Sequence, residues 1–320
     1  MHTLFVTGAG GFTGSRLVEY LRQHGYDVVA GVRNRARKLA YERQNGKALV
    51  CDVADPINVA RAIASVRPEG VIHLAGVSQP ADAAGDPLAA YQTIVTSWAN
   101  VLDAVRRAVP RAKVVLASAC DVYGNEGSDG RPLGETAALR PVSTFGSLKA
   151  AAESIAHTFY RDFHLNVTIA RPFHYTGPGQ SERFFFAAVA RMLAGWDSAS
   201  QGGEIRLPDL SCRRDLLHVD DVVVAYERLL VDGRPNEVYN ICSGTAYSCR
   251  ELVEAMVRNT GHSIRVADTP PDAAGVPIPA LCGDNTKIRT ELSWTPARTA
   301  QEAVAELLAS CKPSLAAAAR

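Results

Sequence analysis

The 320 residues predict an α/β fold, a doubly wound parallel sheet with a smaller C-terminal lobe. Three observations carry that expectation. Apolar strand-like runs alternate regularly with helical patterns as far as Ala170. The first run, Leu4-Phe5-Val6, feeds a glycine-rich turn that opens a helix. The alternation then stops at Gly177-Pro178-Gly179-Gln180, so the remainder cannot fold as a repeat of the first part.

The turn is Thr7-Gly8-Ala9-Gly10-Gly11-Phe12-Thr13-Gly14, and a helical stretch from Ser15 to Gln23 follows it. Glycines let backbone N–H groups approach a pyrophosphate closely, and the helix N-terminus adds partial positive charge. Both flanks that the motif requires are present. Gly8, Gly11, Phe12, Thr13 and Gly14 are therefore candidate contacts for a dinucleotide, and the sheet is expected to be of Rossmann type.

The other elements follow in order. Asp27 to Val32 is the second strand and Ala48 to Cys51 the third. Asp55-Pro56 suits the start of a helix through Val66, because proline is tolerated in a first turn. Gly70 to Leu74 is the fourth strand, followed by a loop to about Asp86. A long helical pattern runs from Pro87 to Ala108, and Lys113 to Ser118 is the fifth strand. A polar, glycine-rich loop leads to a helix from about Thr144 to Phe163, then a sixth strand, Asn166 to Ala170.

Beyond Arg171 the pattern reads as helix (Phe184 to Gly195), a loop rich in Gly, Ser and Pro, and helix (His218 to Val231). A strand (Glu237 to Ile241), a helix (Cys249 to Thr260) and a proline-rich loop (Thr269 to Pro279) follow. The tail after Pro313 is alanine-rich and expected to fray. The expected division is a dinucleotide-binding domain over 1–171, to which 218–244 returns, and a substrate-binding lobe from 172–217 and 245–312.

Composition narrows the function. Lys and Arg total 34 against 33 for Asp and Glu, a net charge of +1. That balance argues against a generic nucleic-acid or membrane-surface binder, which needs a basic excess. No apolar run approaches the ~20 residues of a membrane span. The opening residues lack the basic-then-apolar layout of a secretory signal. Seven cysteines are scattered without a CxxC pair. Reduced thiols in a cytoplasmic protein are expected, with no metal site.

The second strand ends in Val32-Arg33-Asn34-Arg35. An NAD site usually carries an acid near here for the ribose 2′-hydroxyl, whereas an arginine accommodates a 2′-phosphate. Arg33, with Arg35 and Arg37 nearby, favours NADP(H), with NAD(H) as the alternative. Lysine and arginine are also ordinarily solvated, so a basic loop without a ligand is the plain alternative. Asp52 and Val53 follow the third strand, placed to touch adenine. Leu74 and Ala75 close the fourth strand near the pyrophosphate.

These motifs together resemble the extended short-chain dehydrogenases/reductases that modify nucleotide sugars. Thr7 to Gly14 is similar to their TGxxGFxG turn, Cys51-Asp52-Val53 to CDL, and His73-Leu74-Ala75 to HLA. Asp121-Val122-Tyr123-Gly124 is similar to EVYG. Arg171-Pro172-Phe173 with Gly177 to Gln180 resembles RPFNHxGPGQ, Arg213-Arg214-Asp215 resembles RRDF, and Glu237 to Gly244 matches EVYNICSG. Gly283-Asp284 with Lys287 resembles GDxxK. Within the family these features are most similar to GDP-4-keto-6-deoxymannose reductases and GDP-mannose 4,6-dehydratases.

The resemblance implies a Ser or Thr three residues before the Val of EVYG, and a Tyr four residues before a Lys. In the family that Tyr exchanges a proton with the sugar oxygen while hydride moves at the nicotinamide. The Lys holds the nicotinamide ribose and lowers the Tyr pKa, as a nearby positive charge must. Here Ala119 stands at the hydroxyl position and Phe145 at the Tyr position, while Lys149 is present. Neither Ala119 nor Phe145 can exchange a proton. His174 replaces the Asn of RPFN, and Ala274 aligns with an Arg that the family uses on substrate diphosphate. Arg214 can still hold a phosphate. Ser78, His174 and Arg214 are the candidate substrate contacts.

Cys120, Asp121, His174 and Lys149 remain near the expected nicotinamide. In the family's dehydratases an acid at the position of Asp121 works as base beside a keto group. In related GDP-sugar epimerases a cysteine lies one position later than Cys120. Cys120 also reads as a small buried thiol, His174 as a hydrogen-bonded loop residue, and Tyr123 as structural. Three readings stay open. The first is a nucleotide-sugar reductase or dehydratase lacking its proton-transfer residues. The second is an enzyme of epimerase or lyase type that uses Cys120, Asp121 and His174. The third is a catalytically inactive NADP(H)-binding protein. The resemblance further implies a homodimer through a four-helix bundle of the helices Pro87 to Ala108 and Thr144 to Phe163.

Overall fold

The computed structural model describes residues 2–196, 203–270 and 276–311. The first part contains β1 (Thr3–Thr7), α1 (Phe12–Gln23), β2 (Asp27–Val32), α2 (Arg35–Asn45), β3 (Ala48–Val50), α3 (Pro56–Val66) and β4 (Gly70–His73). α4 (Pro80–Gly85), α5 (Pro87–Tyr91), a π turn (Gln92–Thr96) and α6 (Ser97–Ala108) lead to β5 (Lys113–Ala117). A 3₁₀ turn (Cys120–Val122), α7 (Thr144–Phe163) and β6 (Val167–Pro172) follow. The second part contains β7 (His174–Thr176), α8 (Phe185–Ala194), β8 (Gly203–Pro208), β9 (Arg213–His218), α9 (Val219–Asp232) and β10 (Val238–Ile241). It closes with β11 (Ala246–Ser248), α10 (Cys249–Arg258), β12 (Ile264–Thr269), β13 (Ala280–Leu281), α11 (Thr286–Leu292) and α12 (Ala300–Cys311).

Seven strands form one parallel sheet in the order β10-β6-β5-β4-β1-β2-β3. The strand order reverses between β1 and β4, so a crevice opens outside the carboxyl ends of the strands there. One face of the sheet packs Leu17 and Leu21 of α1 against Val222, Tyr226 and Leu229 of α9. The other packs Ile63 of α3, Trp98 and Leu102 of α6, and Ala152 and Ala156 of α7. The lobe has its own core, including Ala190 of α8, Leu252 and Met256 of α10, and Leu307 of α12. Its strands form two small sheets. β9 pairs with β7, β11 and β13, and β8 pairs with β12.

Local chemistry sets several of the helix starts. The Asp55 carboxylate accepts from the Ile57 and Asn58 N–H groups ahead of Pro56 at the head of α3. The Ser143 hydroxyl accepts from the Gly146 N–H at the start of α7, and Ser248 and Glu251 form a capping box on α10. Among the described residues no helix is long and apolar enough to cross a membrane.

The doubly wound sheet is the one expected, and the structure corrects several elements around it. Arg35 and Arg37 lie in a helix, not a loop. The Asn34 side chain caps α2 by accepting from the Arg37 N–H, and the apolar residues of the helix, Ala36, Leu39, Ala40 and Tyr41, are too few among its charged ones to give a clear helical stripe. The loop after β4 contains α4, started by Pro80. The single helix expected from Pro87 is broken by the π turn, where the Ser97 N–H donates to the Gln92 carbonyl. The loop expected after α8 holds β8 and all of β9 but its last residue, His218. The short strands β7 to β9 and β11 to β13 find partners as much as 67 residues away, as Ala280 opposite Arg213, which no local pattern records. The tail beyond Pro313 lies outside the described residues.

Candidate active site

One continuous cleft of about 760 Å³ opens at the carboxyl ends of the parallel strands, walled by the sheet on one side and the lobe on the other. The site residues singled out in the sequence line it, except Arg35 and Tyr123, which are not part of its wall, and Ala274, which lies outside the described residues.

The sheet side starts at the glycine turn. Gly8 has φ +70°, and a Cβ on Gly14 would fall 2.2 Å from the Gly8 carbonyl oxygen. Only glycines permit that approach, and it brings α1 end-on to the cleft. Gly11, the N-cap of α1, supplies no side-chain cap. The first-turn N–H groups of Phe12, Thr13 and Gly14 thus lack the usual internal partner, as an anion site requires. Arg33 and Arg37 line the same end, both exposed. The first turn of α2 holds no acidic residue. Asp52 is bound locally, its carboxylate accepting from the Ala54 N–H at 3.2 Å. Val53, Leu74, Ala75 and Ser78 continue the wall. This surface, a glycine turn at an open helix N-terminus, has the chemistry to hold a dinucleotide.

At the centre lies α7. Its Gly146 sits so close to the 3₁₀ turn that a Cβ there would be 2.5 Å from the Asp121 carbonyl oxygen. That contact brings Phe145 and Lys149 against Ala119, Cys120 and Asp121. Ala119 and Phe145 are buried and present only carbon to the cleft. The Lys149 ammonium donates to the Ala117 carbonyl at 2.6 Å. Burial lowers its pKa to about 8, with Asp121 and Glu153 opposing the shift.

Cys120 stands between two polar neighbours. Its Sγ is 3.9 Å from Asp121 Oδ2 and 4.0 Å from His174 Nδ1. Burial raises the thiol pKa well above its usual value, and Asp121 adds to the effect. Burial also raises the Asp121 pKa. His174 is held neutral, its pKa lowered to about 3 by burial and then by Arg214. The site thus offers a protonated thiol, a neutral imidazole and a carboxyl group side by side.

A buried polar network supports this floor. The Arg171 guanidinium donates to both Glu153 oxygens, at 2.9 and 2.6 Å, and to the Tyr123 hydroxyl at 2.9 Å. Tyr123 donates to Asn240 at 2.7 Å, and the Ser118 hydroxyl donates to Glu153. Tyr123 is fully buried and absent from the cleft wall.

The lobe side contains residues that sequence reasoning passed over. Tyr175 follows His174 in β7, and its hydroxyl lies 2.9 Å from the Thr13 hydroxyl, tying lobe to glycine turn. Phe184, Phe185, Asp209, Cys212 and Cys249 line the wall with Arg214. The aromatic run Phe184-Phe185-Phe186 was a usable signal, because three adjacent rings exceed what one helix face buries. Nothing local marked Cys212 or Cys249. Arg214 donates to the Arg213 and Ile278 carbonyls, which holds its side chain at the cleft. Among the described residues no three His, Cys, Asp or Glu side chains cluster as a metal site.

A family model described as GDP-mannose 4,6 dehydratase matches residues 5–307. The GDP-6-deoxy-D-mannose reductase of Pseudomonas aeruginosa is 28% identical over 306 residues, covering 95% of each chain. Among solved structures, RMD from Pseudomonas aeruginosa complexed with NADPH superposes with a TM-score of 0.83 at 26% identity, over 98% of this chain and 99% of that one. A putative epimerase from Burkholderia cenocepacia gives 0.83 at 30% identity over the same shares. The UDP-glucose 4-epimerase of Thermotoga maritima with UDP-glucose gives 0.85 at 26% identity, over 96% of this chain and 98% of that one. On a match of this extent, the chain belongs to the GDP-mannose 4,6 dehydratase family of NAD(P)-dependent nucleotide-sugar epimerases, dehydratases and reductases.

Proposed function

We propose that the protein binds NADP(H) and modifies an NDP-hexose, a GDP-sugar by preference, with Cys120, Asp121 and His174 carrying the acid–base steps. The observation that carries this reading is the Cys120 sulfur, within 4.0 Å of both His174 and Asp121 and in the same cleft as the glycine turn. Arg33, Arg37 and the acid-free start of α2 support the phosphorylated cofactor. The GDP-sugar preference rests on the family match and on the reductase relative.

The cofactor, when bound, supplies or accepts hydride. Proton movement falls to the chain. A keto-sugar must exchange a proton at its oxygen or at an adjacent carbon during reduction, elimination or epimerisation. The protonated Cys120 thiol can donate, and the neutral His174 imidazole can accept. Asp121, with its raised pKa, can serve as base beside a keto group. Lys149 orients the ribose and keeps positive potential near any developing alkoxide. Arg214 holds a phosphate of the substrate, and Ser78 lies along its path.

The residues 1–171 with 218–244 serve cofactor binding in this reading, and 172–217 with 245–312 serve the sugar nucleotide. A second reading has one specific observation in its favour. Ala119 and Phe145 leave the usual proton-transfer position lined only by carbon, as in a non-catalytic NADP(H)-binding protein.

The test is incubation of the purified protein with NADP(H) and a panel of GDP-, UDP- and dTDP-hexoses and their 4-keto-6-deoxy derivatives in D₂O. Product formation, or deuterium at a carbon beside the keto group, is expected, with loss in Cys120→Ser and His174→Ala. Tight NADPH binding with no turnover and no exchange on any sugar would establish the second reading instead.

A further inference from the structure

Two cysteines outside the acid–base group face each other in the lobe wall. β9 and β11 are antiparallel, with Asp215 opposite Ala246, Arg214 opposite Tyr247 and Arg213 opposite Ser248. One step further along this register puts Cys212 opposite Cys249. The backbones remain joined there, since the Cys249 N–H donates to the Cys212 carbonyl at 2.9 Å. Directly opposed residues hold their Cβ atoms ~4.5–5.5 Å apart, close to the ~3.5–4.5 Å that a disulfide requires. The two sulfurs are 3.0 Å apart, and both are free thiols.

We propose that Cys212 and Cys249 are a redox-closable dithiol, a modification site in the lobe wall of the cleft whose reactant is a small-molecule disulfide. This goes beyond the catalytic reading and does not depend on it. Both residues are buried from outside, at 6% and 4% exposure, yet both line the cleft, which is the route for a reagent. The two thiols share a hydrogen bond in which either can donate, and the positive charge of nearby Arg214 favours a thiolate on both.

The chemistry balances. The thiolate of one cysteine attacks one sulfur of the small disulfide, whose S–S bond breaks and whose other half leaves as a thiolate and takes a proton. The other cysteine then loses its proton and attacks the protein sulfur of the mixed disulfide. The Cys212–Cys249 bond forms and the second small thiol leaves. Two protein thiols are oxidised and one small disulfide is reduced to two thiols. Closure ties the residue just before β9, the strand that carries Arg214, to the first residue of α10.

The experiment treats the full chain with oxidised glutathione, then alkylates the remaining thiols and digests it for mass spectrometry. The expected result is a Cys212–Cys249 linked peptide pair, two fewer alkylated thiols per chain, and full reversal by dithiothreitol. Amide hydrogen exchange across β9 and β11 should slow in the oxidised form. Cys212→Ser and Cys249→Ser, each checked for native secondary structure, should each abolish the link. The proposal is overturned if Cys311 forms its glutathione adduct while no Cys212–Cys249 link appears, or if the two-thiol loss persists in both serine variants. Neither result bears on turnover of nucleotide sugars, so this proposal and the catalytic reading fail separately.

Discussion

Lys149 stands one helical turn after Phe145 on α7, its ammonium 5.7 Å from the Phe145 ring centroid and hydrogen-bonded to the Ala117 carbonyl. The lysine is thus held at the floor of the cleft with an inert ring where a phenol would use its charge. A hydroxyl added at the edge of that ring would meet a cation and have its pKa lowered.

Phe145→Tyr should therefore raise 4-keto-sugar reduction with NADPH by at least ~100-fold, since positioned proton transfer is worth ~10²–10⁴-fold. Addition of Ala119→Ser should raise it further. NADPH affinity should hardly change, because the glycine turn and Lys149 are untouched. Single-turnover oxidation of bound NADPH, followed by absorbance, measures both proteins. A rise of that size would confine the acid–base work of Cys120, Asp121 and His174 to the carbon beside the keto group, as in elimination or epimerisation; equal rates would mean that Cys120 or His174 already delivers the proton to the sugar oxygen.

Arg33→Asp should weaken NADPH binding by at least ~10-fold and leave NADH binding within a few-fold, because a carboxylate repels a 2′-phosphate and accepts from a 2′-hydroxyl. Titration of cofactor fluorescence reports both constants. Equal affinity of the unaltered protein for the two cofactors would contradict the assignment.

His73 is 1% exposed, with Nδ1 2.7 Å from the Thr7 hydroxyl and Nε2 3.1 Å from the Ser97 hydroxyl. Burial, then Lys149, lowers its pKa from the usual 6.5 to about 3. The unfolded chain binds this proton below about 6.5 and the folded chain does not. Stability is therefore full above that pH and lost as pH falls from about 6.5 towards 3, at ~1.4 kcal/mol per pH unit. Urea unfolding at pH 7 and pH 5 should show the loss, and His73→Gln should show ~2 kcal/mol less of it. An unchanged pH dependence in that variant would show that other groups carry the acid sensitivity.

Leu88, Tyr91 and Phe163 are exposed at 69%, 48% and 45%, on α5 and at the end of α7. These are the two helical stretches whose apolar content in the sequence exceeds the need of one sheet face. A homodimer through α5, α6 and α7 is the expected arrangement. Light scattering at micromolar concentration should give twice the chain mass, and Leu88→Glu with Tyr91→Glu should give the monomer. A monomer in the unaltered protein would exclude this interface.

The sequence by itself determined the doubly wound sheet, the glycine turn, Arg33 at the end of β2, and the loss of hydroxyl and phenol at Ala119 and Phe145. Each of these is written in a contiguous segment, because a strand–turn–helix unit and a helical i, i+4 pair are made by neighbours in the chain. Tertiary structure alone decided that His174 comes to Cys120 from 54 residues away, that Tyr175 reaches Thr13, and that Cys212 faces Cys249. It also decided the lobe's sheets, whose strands of two to six residues are too short to show a period of their own. The physical reason is the same in each case: packing the lobe onto the sheet sets contacts between distant segments, and neither propensity nor spacing along the chain records which segments meet.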